Sequence, residues 1–246
     1  MNNQLRKKLI QLHYEKQSIH LGSSLSCLDI LAILMIDLKV PYKDVILSKG
    51  HASTALYVVL NELGIVSDQE LSTYFENGTL LTAHPVAKSN LVEFGTGSLG
   101  HGISLAAGKC KARKLKGDHT LVYCVVSDGE MNEGLIYEAI NFAIHHQLEN
   151  LVIIVDNNGL QGLGEADLVL GDLASTFSNR QGLNYVEVDG HDAASLFNAL
   201  QGNAEAPLLV NAKTVKGKGV SFAENNNDWH YSTLSKEQYI KAISAL

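Results

Sequence analysis

Asp128 follows an apolar run that ends at Val126, and Asn157 and Asn158 follow a second run that ends at Val155. If the two runs are neighbouring parallel strands, these side chains meet at the carboxyl edge of a sheet, where open α/β sheets bind ligands. A carboxylate, an amide oxygen and a nearby backbone carbonyl are hard oxygen donors. They suit Mg²⁺ or Ca²⁺, with phosphate oxygens and water completing the shell. Gly129 allows close approach of backbone to a phosphate, and a helix beginning near Glu133 would offer its unpaired N–H groups. Each pair taken singly also reads as a turn after a strand. Together they are a much more specific signal than either alone.

Four histidines stand in distinctive surroundings. His20 lies in Ser18-Ile19-His20-Leu21-Gly22 and His51 in Leu47-Ser48-Lys49-Gly50-His51-Ala52-Ser53. His84 precedes Pro85, and His230 follows Trp229 after Lys216-Gly217-Lys218-Gly219-Val220 and Glu224-Asn225. Imidazole is the side chain that donates or accepts a proton near neutral pH. An isolated histidine is more often a surface or hydrogen-bonded structural residue. His145 and His146, on a predicted helix between the two strands, are read that way.

The elements that must position these residues are legible from periodicity. Apolar side chains at helical spacing predict helices over Leu5 to Glu15, Ser24 to Leu38 and Ser53 to Leu63, so the first hundred residues are mostly helical. Thr120 to Val126 and Leu151 to Val155 read as strands around a helix from Glu133 to His146, a βαβ unit. Both strands are apolar at successive positions, as a parallel sheet covered on both faces requires. Further strands are predicted at Tyr185 to Val188 and Leu208 to Thr214, with a helix at Ala193 to Leu200, a long loop from Lys216 to Asp228 and a last helix from Lys236 to Ala245. The fold class is α/β, a mostly parallel sheet with helices on both faces, in one domain over residues 1–246.

Composition removes several function classes. With 46% apolar residues and a formal charge of −7, the chain can bury a large core and carries no general basic footprint. Nucleic acid is not an expected partner. The apolar stretch Leu28 to Leu38 contains Asp29 and Asp37 and is too short for a bilayer, and the basic N-terminus lacks an apolar core, so neither membrane nor secretion is expected. Cys27, Cys110 and Cys124 lie far apart without zinc or disulfide spacing, and read as free thiols of a cytoplasmic protein.

The segment Ser127-Asp128-Gly129-Glu130-Met131-Asn132-Glu133-Gly134, followed by Asp156-Asn157-Asn158, resembles the thiamine diphosphate fingerprint. The histidine motifs, in order and at similar separations over essentially the whole chain, resemble those of transketolases. The resemblance implies the PP-type fold, with thiamine diphosphate and Mg²⁺ (or Ca²⁺) as cofactors. It implies metal ligation by Asp128, Asn158 and the Leu160 carbonyl, and cofactor contacts from His51, Gly97, Leu99, Asp128, Gly129, Glu133, Asn158 and His230. It also implies catalytic roles for His20, His84 and His230 around the reacting carbon and the sugar hydroxyls. The implied reaction is transfer of a two-carbon ketol unit from a ketose, generally phosphorylated, to an aldose. Departures are Ser127 where the family has Gly, Tyr231 after the last histidine, and Gln161-Gly162-Leu163-Gly164 beside the cofactor.

Gly95-Thr96-Gly97-Ser98-Leu99-Gly100 also satisfies the dinucleotide pattern, with Asp118 at roughly the distance of a ribose-binding acid, but Asn90 to Phe94 is short for the first buried strand and no βαβ unit closes around the motif. The same residues resemble the transketolase loop whose backbone meets the aminopyrimidine ring. The glutamate that this family sets against the pyrimidine nitrogen belongs to a second domain, C-terminal to the matched region. The resemblance therefore leaves two expectations, a piece of a longer enzyme or, the favoured one, a split enzyme, an α2β2 heterotetramer in which this chain pairs with a separate C-terminal subunit. Rival readings are a component of another thiamine enzyme, separable by testing pyruvate against ketose as donor, and a non-catalytic cofactor-binding module.

Overall fold

A computed structural model describes residues 2–201 and 205–246. In chain order the elements begin with helices α1 (Asn2–Lys16) and α2 (Leu21–Ala32), strand β1 (Val45–Leu47), α3 (Ser53–Glu62) and the short α4 (Asp68–Leu71). They continue with α5 (His101–Leu115), β2 (Val122–Ser127), α6 (Gly134–His145), β3 (Leu151–Asn157), and the short α7 (Asp167–Leu170) and α8 (Leu173–Phe177). The chain closes with β4 (Asn184–Asp189), α9 (Ala193–Leu200), β5 (Leu208–Lys213) and α10 (Lys236–Ala245). The strands form one sheet in the order β1-β2-β3-β5-β4, every pair parallel. The expected α/β class is therefore observed.

Strand composition explains the layers. Successive side chains of a strand point to opposite faces, so an all-apolar strand needs a core on each side. Tyr123, Val125, Val152, Ile154 and Val210 pack with α1, α2, α3 and α9, whereas Val122, Cys124, Ile153, Val155 and Leu209 pack with α5, α6 and α8. Each fully buried Ile or Leu contributes ~1.5–3 kcal/mol, which makes the alternation strongly specified. Cys27, Cys110 and Cys124 are free and buried. Among the described residues no helix is long and apolar enough to cross a membrane.

Several features were not foreseen, the short α4, α7 and α8 among them. β1 has three residues, too few to show a period, and exists because β2 supplies its hydrogen bonds in register, Ile46 opposite Cys124. α5 has mixed polarity, and apart from Ile103 its buried residues, Gly102, Ala106, Ala107 and Cys110, are small. The helix predicted to Leu38 does reach it, but Ile33–Asp37 form a π turn, with the Leu38 N–H bonded to the Ile33 carbonyl at 2.8 Å. The last helix starts where expected because Ser235 and Gln238 form a capping box.

The connection after β3 runs to the face covered by α8, and the segment after β5 runs to the opposite face, where Val220, Ala223 and Trp229 are buried. Between such strands a crevice opens at the carboxyl edge. All five carboxyl ends lie on that edge because the sheet is wholly parallel.

Candidate functional site

Asp128 immediately follows β2 and lies in that crevice, 4% exposed. One carboxylate oxygen accepts the Gly129 N–H at 2.7 Å and the other the Gly159 N–H at 2.6 Å, which ties the β2 and β3 loops together. Burial, reinforced by the Asp156 carboxylate, pushes its pKa up to about 6. Among the described residues no lysine or arginine forms an ion pair with it. Asn158 stands beside it, its Oδ1 accepting the Leu160 N–H at 3.1 Å. The donors converging here are thus one carboxylate, one amide oxygen and the backbone of a tight turn, in which the Ala166 N–H bonds the Gly159 carbonyl at 2.9 Å.

Asp128, Gly129, Glu133, Asn158 and Leu160 line one cleft of about 280 Å³ together with His51, Leu99, His230 and Tyr231. Glu133 is exposed on its rim at the N-cap of α6. A 3-10 turn, Gly129–Asn132, intervenes between Asp128 and that helix. The absence of a side chain at Gly129 serves packing, since a Cβ there would come within 2.7 Å of the Gln161 Cβ. Gly97 has φ +142°, and an added Cβ would lie 3.0 Å from the His84 ring, so only glycine lets this loop close on the imidazole.

The four singled-out histidines meet. The His20 ring lies 5.0 Å from His230, 5.4 Å from His51 and 6.0 Å from His84, and His51 lies 5.4 Å from His230. His20 is at the centre because its backbone is left-handed, φ 71°, immediately before α2. Its N–H donates to the His230 carbonyl at 3.0 Å, and its own carbonyl accepts the Ser24 N–H. A bulky residue in that region is strained, and such strain clusters at functional sites. Burial and neighbouring charged groups lower His20 to about 4 and His230 to about 3, place His51 well below its ordinary value, and burial lowers His84. The cluster is therefore uncharged at neutral pH.

Two lysines were not foreseen, because a sequence does not show that a lysine is buried. Lys49 is fully buried against Asp156 and donates to the Ser23 carbonyl at 3.1 Å. Burial alone would push its ammonium down, but the Asp156 carboxylate holds it above its ordinary value. Lys216 donates to the Asn227 Oδ1 at 2.8 Å and reaches the His230 Nδ1 at 3.2 Å. Burial, then Lys49, lower it to about 8. Since its ammonium can only donate, His230 Nδ1 accepts and the ring proton sits on Nε2. Glu130, fully buried, accepts the Gly100 N–H at 2.7 Å and the Ser48 hydroxyl, fixing the glycine-rich loop to the end of β2.

A larger depression, about 1030 Å³, lies instead near the start of β1 and contains Asp44, Glu93, Lys109 and Arg113. Its charges pair with one another, Asp44 with both Lys109 and Arg113. Volume alone therefore does not mark the site. The dinucleotide pattern is excluded structurally, because a loop rather than a strand precedes Gly95.

The cluster has a pH signature. The unfolded chain takes up protons on its histidines below about pH 6.5, whereas His20 and His230, and also buried His13 with its value near 4, stay neutral in the fold. Stability from these groups is thus present above pH 6.5 and lost as pH falls towards 4. Asp128 and Glu130, both raised, act in the opposite sense and favour the fold at acid pH. The depressed imidazoles outnumber them. The melting temperature of the cofactor-free chain should fall steadily from pH 6.5 to 4, and a flat profile would contradict the buried cluster.

Comparison with known proteins places these features in context. The family description "Transketolase, thiamine diphosphate binding domain" matches residues 17–245. The chain is 34% identical to a subunit of the apulose-4-phosphate transketolase of Phocaeicola vulgatus, covering 97% of this chain and 89% of that protein. It is 35% identical to human transketolase over 98% of this chain but spans only 41% of that relative. The crystal structure of transketolase from Campylobacter jejuni superposes with a TM-score of 0.88 at 28% identity, covering 99% of this chain and 42% of that one.

Proposed function

The chain belongs to the transketolase family as its thiamine diphosphate binding domain, and from that membership we propose that it is the cofactor-binding subunit of a two-part ketol transferase. The observation that carries this reading is that Asp128 and Asn158 share one cleft with His51 and His230, with the His20 ring beside both imidazoles and His84 beside His20. The domain spans residues 1–246. The donor is a ketose, generally phosphorylated, and the acceptor an aldose.

The residues fit a divalent cation. A buried carboxylate without an ammonium or guanidinium ion pair among the described residues, raised to about 6, is relieved by a cation. Asp128, the Asn158 amide oxygen and the Leu160 carbonyl would hold Mg²⁺, or Ca²⁺, and leave positions for diphosphate oxygens and water. His51 and His230 would reach the diphosphate, with Gly97 and Leu99 against the aminopyrimidine ring and Glu133 at its edge. Thiamine diphosphate, when bound, supplies the electron sink that lets a ketose carbon–carbon bond break. The protein orients and moves protons. His230 donates from Nε2, and His20 and His84, neutral at pH 7, exchange protons with sugar hydroxyls.

A second polypeptide completes the site. The cleft of about 280 Å³ is at the lower end of ligand pockets, which run from roughly 300 to 1,000 Å³. Exposed Leu163, Leu168 and Val169 lie on the segment that leads away from Leu160. The Phocaeicola vulgatus relative is itself named as one subunit of a transketolase, which supports the same view. We assign the assembly as α2β2 and the location as cytoplasmic.

Trp229, the single tryptophan, is buried in the core against Phe222, one residue before His230 of the cleft, and serves as a fluorescence probe of that segment. Thiamine diphosphate with Mg²⁺ titrated into the chain, alone and with its companion subunit, should quench or shift Trp229 fluorescence, more tightly in the complex. Ketol transfer from a ketose phosphate should require both subunits. No binding in either state, or turnover of pyruvate instead of ketose, would overturn the proposal.

A further inference from the structure

His191, in the turn after β4, makes two hydrogen bonds outside the cleft. Its Nδ1 lies 2.7 Å from Asp29 Oδ2, and its Nε2 accepts the Val215 N–H at 2.9 Å. A backbone N–H can only donate, so Nε2 carries no proton and the Nδ1–H donates to Asp29. Asp29 sits within α2, 2% exposed, and pairs with Arg6 of α1, itself 6% exposed. Burial would raise its pKa, but His191 and Arg6 hold it below its ordinary value, so the anchor is a carboxylate.

Val215 immediately precedes Lys216 at the bend where the chain leaves β5. On the far side of the bend the Gly217 N–H donates to the Gly22 carbonyl at 3.0 Å. A Cβ on Gly22 would come within 3.1 Å of the Lys216 Cγ, so the lysine stem is held against α2. Its ammonium then reaches Asn227 and the Nδ1 of His230. The fixed chain of contacts thus runs from Arg6 and Asp29 through His191 and Val215 to Lys216 and His230.

We propose that His191 is a positioning residue for the cofactor site: it clamps the Val215 bend onto α2 and thereby sets Lys216 against His230. This role rests on the cleft being the cofactor site. It reaches the chemistry only through Lys216, and His191 touches no reacting atom.

Two variants separate positioning from general support. In His191→Gln the side-chain amide stands where Nε2 stood and can accept the Val215 N–H, giving up Asp29. In His191→Asn the amide stands at the Nδ1 position, keeps Asp29 and falls short of Val215. Each removes the ring and breaks one of its two hydrogen bonds, Asp29 keeping Arg6 in His191→Gln, so both should lower the melting temperature.

Thiamine diphosphate with Mg²⁺ is titrated into each chain together with its companion subunit, with Trp229 fluorescence as readout. Amide hydrogen exchange over 214–218 is followed without cofactor. The expected result is a dissociation constant within about 3-fold of wild type for Gln and raised at least about 10-fold for Asn. Exchange over 214–218 should be accelerated only in Asn. Tight wild-type binding with equal constants for the two variants overturns the role alone. A wild-type complex that binds no cofactor overturns the cofactor reading, and the role with it.

Discussion

Asp128→Asn is expected to raise the dissociation constant for thiamine diphosphate and Mg²⁺ by at least about 100-fold, ~2.7 kcal/mol, while the chain stays folded. Keeping this carboxylate ionised at neutral pH costs the cofactor-free fold ~3 kcal/mol, from its rise from 3.8 to about 6. A bound cation recovers that cost, so part of the cation's affinity is stored in the buried charge. The amide removes the charge and with it the attraction. It also places an NH₂ against the Gly129 or Gly159 N–H, a mismatch of about 1–3 kcal/mol that offsets the relief of the charge. Net stability at pH 7 should therefore change little. Isothermal titration with and without Mg²⁺, beside thermal unfolding, checks both halves. Wild-type-like affinity in the variant would remove Asp128 from the metal site.

His20→Asn should lower kcat for ketol transfer by about 10² to 10⁴, the range for a lost proton-transfer group, with cofactor affinity within about 3-fold of wild type. The backbone argument makes this variant informative. His20 holds φ 71° and its N–H and carbonyl secure the His230 carbonyl and the start of α2. Asparagine tolerates that conformation better than alanine, so the scaffold survives while the imidazole is lost. His20 is also the ring that touches His51, His84 and His230 together. Steady-state kinetics with the companion subunit decide the matter. A kcat loss under 10-fold would make His20 a packing residue, and a large loss of cofactor affinity would move its role to binding.

Much of this protein was determined locally. The apolar runs ending at Val126 and Val155 specified a two-sided parallel sheet, because only such a sheet buries side chains at successive positions. Helical spacing specified α1, α2, α3, α6 and α9 to within a few residues. The residue types at 128, 157 and 158, and the four histidines in their short motifs, marked candidates for cation and proton chemistry before any contact was known. These are properties of neighbours in the chain, and a sequence displays them directly.

Tertiary structure decided what depends on distant neighbours. β1 is a strand only because β2 pairs with it, and α5 is a helix whose buried residues, mostly small, carry little periodic contrast. His20 and His230 are separated by 210 positions and meet because α2 and the segment after β5 pack on the same face of the sheet. The burial of Lys49, Asp156 and Lys216, and the choice of His191 as the clamp on Val215, have no local signature at all. The physical reason is that a charge is buried only where several elements together supply its partner. Local pattern therefore announces the reactive groups, and the assembled sheet edge decides which of them share a low-dielectric site.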